Sequence, residues 1–236
     1  MQIRPLFCSP SPRDIPEFKR AMWDIPYDKL FAKYYLEHDA YRLLVGYFLD
    51  HTDYNYMVVT PDDLVINREG VELLVKDLEE HPYPALAGIC NFSYQLRNRY
   101  ACGPSINGGP TNHTEESLNE EIRKQGPIIR VGMEGFSCLF IHRQVLENNP
   151  KAIKGMPYSS FDWGFCHSCH WDKVPIYVDT RAKFLHLANR LAGDTFVDSR
   201  ECFMRGVKLP CILFEPADGS MIATIRQERE VAVLPV

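Results

Sequence analysis

The chain has 236 residues, which bounds it to one large α/β domain or one domain with a small appendage. Its 45% hydrophobic content is enough for a real core, and a net charge of −5, from 31 acidic and 26 basic residues, argues against nucleic-acid binding as the main function. No apolar stretch reaches the roughly 18 residues of a membrane-spanning helix, so none is expected. The opening MQIRPLFCSPSPRDIPEF has an apolar run too short, and too broken by prolines, for a signal peptide. The default expectation is therefore a cytoplasmic protein. Eight cysteines are too sparse for a disulfide scaffold, and most are expected to be reduced and partly buried.

Residues 2–8, QIRPLFC, read as a first strand, followed by the turn-rich loop SPSPRDIP and a short helix through Trp23. The aromatic stretch KLFAKYY at 29–35 reads as a second strand. From 37 to 51, Leu43, Leu44, Tyr47 and Phe48 form one helical stripe. YMVV is continuously apolar, as a strand covered on both faces should be. Val71, Leu74, Val75 and Leu78 then mark a helix over 67–80, and PALAGIC at 84–90 another buried strand. This alternation predicts a mostly parallel sheet with crossover helices. Residues 91–113 are polar, aromatic and rich in Gly and Pro, and read as an irregular excursion. Ser117 with Glu120 three residues on has capping-box spacing. A strand over 137–141 runs into a short helix. FDWGFCHSCHWDK reads as helical from about Asp162, and VPIYVDT as a strand followed by AKFLHLA. In the less regular 200–236, CILFEP and MIATIR are expected to pair across an Asp218-Gly219 turn.

The stretch YMVVTPDDLVI sets two carboxylates, Asp62 and Asp63, at the carboxyl end of a buried strand. Open parallel sheets bind ligands outside those ends. Such acids also occur as solvated turn residues or as caps for the following helix. Two adjacent acids suit a divalent cation better than an acid–base dyad. Mg²⁺ or Mn²⁺ needs few protein carboxylates when phosphate oxygens complete its shell.

MVVTPDDLVI resembles the strand-and-acid motif of GT-A glycosyltransferases, in which an aspartate-any-aspartate triplet ends a central strand. GMEGFSCLFIHRQVL resembles the loop, strand and helix of the acceptor side. FDWGFCHSCHWDKVPIYVDTRAKFLHL resembles the region carrying the catalytic acid, its helix, a strand and a terminal histidine. The resemblance covers about residues 1–190, and the motif order fits inverting enzymes that use nucleotide sugars. The chain also looks similar to small glycosyltransferases of archaeal viruses, which carry a closely similar APDDL-type segment.

The resemblance implies an α/β, GT-A-like fold: a central, mostly parallel sheet flanked by helices, with a catalytic domain over 1–199 and a C-terminal extension over 200–236. Within that domain, 1–90 form the donor side and 91–199 the acceptor side. Asp63 matches the last, metal-binding aspartate of the DxD-like triplet. Asp62 takes the middle position, contacting ribose or a metal-bound water, and Pro61 replaces the first aspartate. His186 falls where the family often supplies a second metal ligand, although a histidine in FLHLA also suits a purely structural role. Ser9 and Arg13, in and after the first strand, lie where nucleotide and diphosphate are met. Tyr34 and His38 are candidates for stacking on the base and approaching the ribose. The implied cofactor is Mn²⁺ or Mg²⁺, and the implied partners are a nucleotide-sugar donor and a glycan, protein or lipid acceptor. A viral chain would work in the host cytoplasm, where peripheral membrane association stays compatible with the sequence.

Displacing a nucleoside diphosphate from a sugar needs positive charge on the leaving group and a base for the incoming hydroxyl. Asp162 is the candidate base, and an N-terminal helix position would also let it serve as a cap. Glu134, between two glycines in GMEGF, is the second candidate acid. CHSCH at 166–170 matches a haem-attachment pattern and has zinc-like content, but thiols packed between a helix and the sheet explain it more simply. No Gly-rich phosphate loop or dinucleotide fingerprint is present. The two other functions compatible with the pattern are a nucleotidyltransferase and a non-catalytic nucleotide-sugar or carbohydrate-binding protein.

Overall fold

A computed structural model of the chain describes residues 2–11, 13, 15–35, 37–91, 99–105, 112–149, 161–187, 211–219 and 223–225. The first half contains β1 (Pro5–Ser11), α1 (Pro16–Trp23), β2 (Lys29–Lys33), α2 (Glu37–His51), β3 (Tyr56–Val59), β4 (Leu64–Val65), α3 (Arg68–Glu80) and β5 (Ala85–Ile89). The second half contains β6 (Cys102–Gly103), α4 (Glu115–Gln125), β7 (Ile128–Val131), β8 (Met133–Glu134), β9 (Leu139–His142) and α5 (Arg143–Asn148). It closes with α6 (Phe161–Trp171), β10 (Ile176–Lys183), β11 (Leu185–His186), β12 (Cys211–Glu215) and β13 (Ala223–Ile225).

Nine strands make one sheet in the order β13-β12-β2-β1-β3-β9-β5-β10-β7. β1 runs parallel to β2 and β3, and β10 runs parallel to β5. The other five neighbouring pairs are antiparallel, so the sheet is mixed rather than mostly parallel. Two of these pairs come from β9, which enters between β3 and β5 against their direction, and the other three from β7 and the β12–β13 hairpin at the two sides of the sheet. The β9 sequence, LFIH, carries no directional signal. The arrangement is an α/β fold with a multi-stranded sheet flanked by helices.

The central strands are apolar without alternation because both faces are covered. Leu6, Cys8, Met57 and Val59 face α2 and α6, packing with Tyr41, Leu44, Phe48 and Phe165. Phe7, Tyr56 and Val58 face α1 and α3, packing with Phe18, Met22, Val71 and Leu74.

β1 outruns the expected strand by three residues, through Ser9, Pro10 and Ser11. Hydrogen-bond direction explains why a proline is tolerated there. Phe7 N–H donates to Asp28, and the Ser11 carbonyl accepts from Tyr34, so odd positions face β2. Even positions face β3, where the ladder ends as Cys8 accepts from Thr60. The N–H that Pro10 lacks would have pointed beyond that last rung.

Asn67 caps α3, its side chain accepting from Gly70 N–H at 2.8 Å, so neither Asp62 nor Asp63 caps that helix. The capping box of α4 lies three residues before the one expected. Thr114 is the N-cap, and Ser117, not Glu120, fills the N3 role, its hydroxyl accepting from Thr114 N–H at 2.9 Å. A serine hydroxyl reaches the N-cap amide as a glutamate would, so spacing alone did not identify the cap. The C-terminal stretches do pair as an antiparallel hairpin, with Gly219 at φ +66° in the turn. The hairpin docks on the main sheet, β12 pairing with β2 from Cys211 to Glu215. Among the described residues, no helix is long and apolar enough to cross a membrane.

Candidate functional site

β1, β2, β3 and β5 run in the same direction, so their carboxyl ends lie at one end of the sheet, the end at which open parallel sheets receive ligands. β3 delivers Thr60, Pro61, Asp62 and Asp63 to this end. β1 delivers Ser9, Ser11 and Arg13, β2 delivers Lys33 and Tyr34, and β5 delivers Cys90 and Asn91.

Asp62 is buried at 1% exposure and survives there because Arg13 wraps it. The main-chain N–H of Arg13 donates to Oδ2 at 2.9 Å and its Nε–H to Oδ1 at 2.8 Å, and a terminal guanidinium nitrogen also contacts Oδ1. Burial pushes the Asp62 carboxyl up, against the pull of Arg13. The same terminal nitrogen lies 3.2 Å from Asp63 Oδ2.

Asp63 differs. Burial would raise it too, but His186 and Arg13 together outweigh that and hold it below the ordinary carboxylate range. His186 arrives from β11, which pairs with β4 so that His186 stands opposite Leu64. Leu187 N–H donates to the Asp63 carbonyl at 2.7 Å, which locks this register. His186 Nε2 faces Asp63 Oδ2 at 3.7 Å, and its Nδ1 lies 3.2 Å from the Asn91 carbonyl. For Nε2 to turn a lone pair to a cation beside Asp63, the ring proton would have to sit on Nδ1 and be donated to the Asn91 carbonyl.

Phe184 steers His186 to this position. Its N–H donates to the Ile89 carbonyl at 2.9 Å. Its ring fills a notch between Gly88 of β5 and Gly70 of α3. A Cβ at Gly88 would come within 2.2 Å of the ring, and one at Gly70 within 2.7 Å. Asn67 adds a second hold, its side-chain N–H donating to the Lys183 carbonyl at 2.9 Å.

On the other side of this end, the segment EGFSC turns sharply. Phe136 and Cys138 hold φ of +58° and +59°, the left-handed region that β-carbon-bearing residues avoid. Glu134 stabilises the turn from within. It has no exposed surface, and its two oxygens accept from Phe136 N–H and Ser137 N–H, each at 2.7 Å. Burial pushes its carboxyl up to about 7, against the pull of these amides. Ser137 Oγ is 3.1 Å from Cys90 Sγ, which links the turn to the end of β5. Asp162, in the first turn of α6, is partly exposed and accepts from Trp163 N–H at 2.8 Å. A Cβ on Gly135 would lie 3.8 Å from Asp162 Oδ2, so the two acids flank this glycine.

The remaining candidates divide. Tyr34 stands at the end of β2 with φ +61°, its N–H reaching the Ser11 carbonyl. Ser9 is fully buried, its hydroxyl spent on the Pro10 carbonyl at 3.3 Å. His38 falls on α2, but its side chain lies outside the described residues. The sequence reading missed Lys33, whose buried Nζ donates to Ser11 Oγ at 3.3 Å. A lysine inside an aromatic strand was the available signal. It also missed the Asn91 carbonyl and the pairing of Arg13 with both acids.

In CHSCH, Cys166 and Cys169 are fully buried. Cys166 Sγ accepts from Glu134 N–H at 3.3 Å, and burial pushes the Cys169 thiol up to about 12. Among the described residues, no group of three or more His, Cys, Asp or Glu side chains could hold a metal. These thiols are packing groups beneath the EGFSC turn.

Neither a protein-family model nor a curated protein matches the sequence. Among solved structures, A197 from STIV shares the fold, with TM-score 0.58 and 16% identity over 99% of each chain. S. aureus TarS, in a structure of residues 1–349, matches at TM-score 0.46 and 10% identity, over 78% of this chain and 60% of that one.

Proposed function

We propose that the chain is a GT-A-like glycosyltransferase that moves a sugar from a nucleotide-sugar donor to an acceptor hydroxyl, with inversion and with Mn²⁺ or Mg²⁺. The observation that carries this reading is the facing of Asp63 Oδ2 and His186 Nε2 across 3.7 Å just beyond the carboxyl end of β3. That gap is too wide for a good hydrogen bond and narrow enough for one cation to bridge. The donor set fits: an ionised carboxylate and an imidazole whose other nitrogen is held by a carbonyl. Two protein ligands are few, which suits an ion whose shell is completed by the two phosphates of a donor.

Asp63 and His186 would hold the ion, which when bound neutralises charge developing on the leaving diphosphate. Asp62, tied to Arg13, fixes the loop that carries Asp63. Asp162 would accept the proton of the attacking hydroxyl at its carboxylate, being the acid of the EGFSC side with exposed surface. Glu134 would hold the turn facing the acceptor. Tyr34, at the end of β2, would stack on the nucleobase.

The test is a panel of uridine, guanosine and thymidine nucleotide sugars with Mn²⁺, read by thermal shift. At least one should raise the melting temperature only when Mn²⁺ is present. Release of pyrophosphate from a nucleoside triphosphate and a sugar phosphate would instead favour nucleotidyl transfer. Donor binding without turnover in the presence of acceptors would favour a binding protein.

A further inference from the structure

Arg13 stands on ground that the metal reading gives to an ion. Its guanidinium closes on Asp62 and reaches 3.2 Å from Asp63 Oδ2, the oxygen that faces His186. Its side chain is only 16% exposed, so solvent and salt screen these contacts little. We infer that Arg13 is the resident cation of the acid pair, and that a divalent ion reaches Asp63 only by displacing this guanidinium from Oδ2. The inference rests on the metal reading of Asp63.

Charge arithmetic gives the exchange a consequence. Two carboxylates with one guanidinium carry a net charge of −1, which repels a diphosphate. The same cluster with a divalent ion carries +1, which attracts it. Asp62 keeps Arg13 through Nε and through the main-chain amide, so the side chain need not leave the site. The terminal nitrogen that leaves Asp63 would then contact a donor phosphate. Arg13 thus acts as a competitor of the metal before the donor arrives and as a phosphate contact afterwards.

The experiment is calorimetric titration of Mn²⁺ alone into the metal-free parent and into Arg13→Gln, Arg13→Lys and Asp63→Asn variants. Arg13→Gln should bind Mn²⁺ about tenfold more tightly than the parent, the size of one charge-assisted contact removed from the competing oxygen. Arg13→Lys keeps the charge but lacks the fork that spans two carboxylates, so it should fall between. Lysine also keeps a partner for the buried Asp62 should the glutamine variant fail to fold. Asp63→Asn should lose Mn²⁺ binding. Parental affinity in both Arg13 variants, with binding lost in Asp63→Asn, would overturn the inference and leave the metal reading standing. No Mn²⁺ binding in any protein, Arg13→Gln included, would overturn both.

Discussion

Asp162 and Glu134 flank the same glycine, yet their surroundings give them opposite work. Asp162 keeps a face toward solvent, whereas Glu134 spends both oxygens on its own turn. Asp162→Asn retains size and the hydrogen bond to Trp163 but cannot take a proton. Transfer turnover should fall by roughly 10²–10⁴-fold, the usual weight of general-base catalysis, with donor affinity in calorimetry unchanged. Near-parental transfer would remove Asp162 from the base role. Glu134→Gln replaces one accepting oxygen with an NH₂ group, so one of the two amides loses its partner. Chemical denaturation should show a loss of about 1–3 kcal/mol. The pH dependence has a definite sign. The Glu134 carboxyl is raised from its ordinary 4.5 to about 7, so the folded state holds the proton more tightly than the unfolded state. Its contribution is fully present below pH 4.5 and is lost as pH rises through 7. The parent should therefore lose stability relative to Glu134→Gln across that window. A constant difference from pH 4 to 8 would contradict this.

At the scale of elements, the site depends on how the chain leaves β10. Phe184 sits against Gly88 and Gly70, and two residues later His186 meets Asp63. A Cβ at Gly88 would meet the Phe184 ring at 2.2 Å and the Ala182 carbonyl oxygen at 2.7 Å. Gly88→Ala should cost about 1–3 kcal/mol in urea unfolding and weaken Mn²⁺ binding together. A destabilised protein with parental Mn²⁺ affinity would show that Phe184 does not place His186. None of this coupling could be read beforehand, because Gly88 and Phe184 stand far apart in sequence and neither has a signal of its own. What was legible had local causes. The stripe Val71, Leu74, Val75 and Leu78 marked α3, and the unbroken apolar run of YMVV marked a strand covered on both faces. The direction of β9 and the extension of β1 through Pro10 depend on which neighbour each strand meets. The pairing of Arg13 with Asp62, 49 residues away, is of the same kind. The acids were visible as a pattern, but the cation that holds them was visible only in space.

At the scale of the whole molecule, the fold gathers residues far apart in the chain at one end of the main sheet. Arg13 follows the first strand, Asp62 and Asp63 follow the third, and His186 lies in the eleventh. The likeness to A197 from STIV, at 16% identity, is one of fold. Chemistry has to be tested at the site. The most direct measurement is release of nucleoside diphosphate from a nucleotide sugar that stabilises the protein, compared for the parent and Asp63→Asn, each with Mn²⁺ and with EDTA. The account predicts release by the parent with Mn²⁺, and little release by the parent in EDTA or by Asp63→Asn in either condition. Equal release by the parent with Mn²⁺ and with EDTA, or parental release by Asp63→Asn, would contradict it.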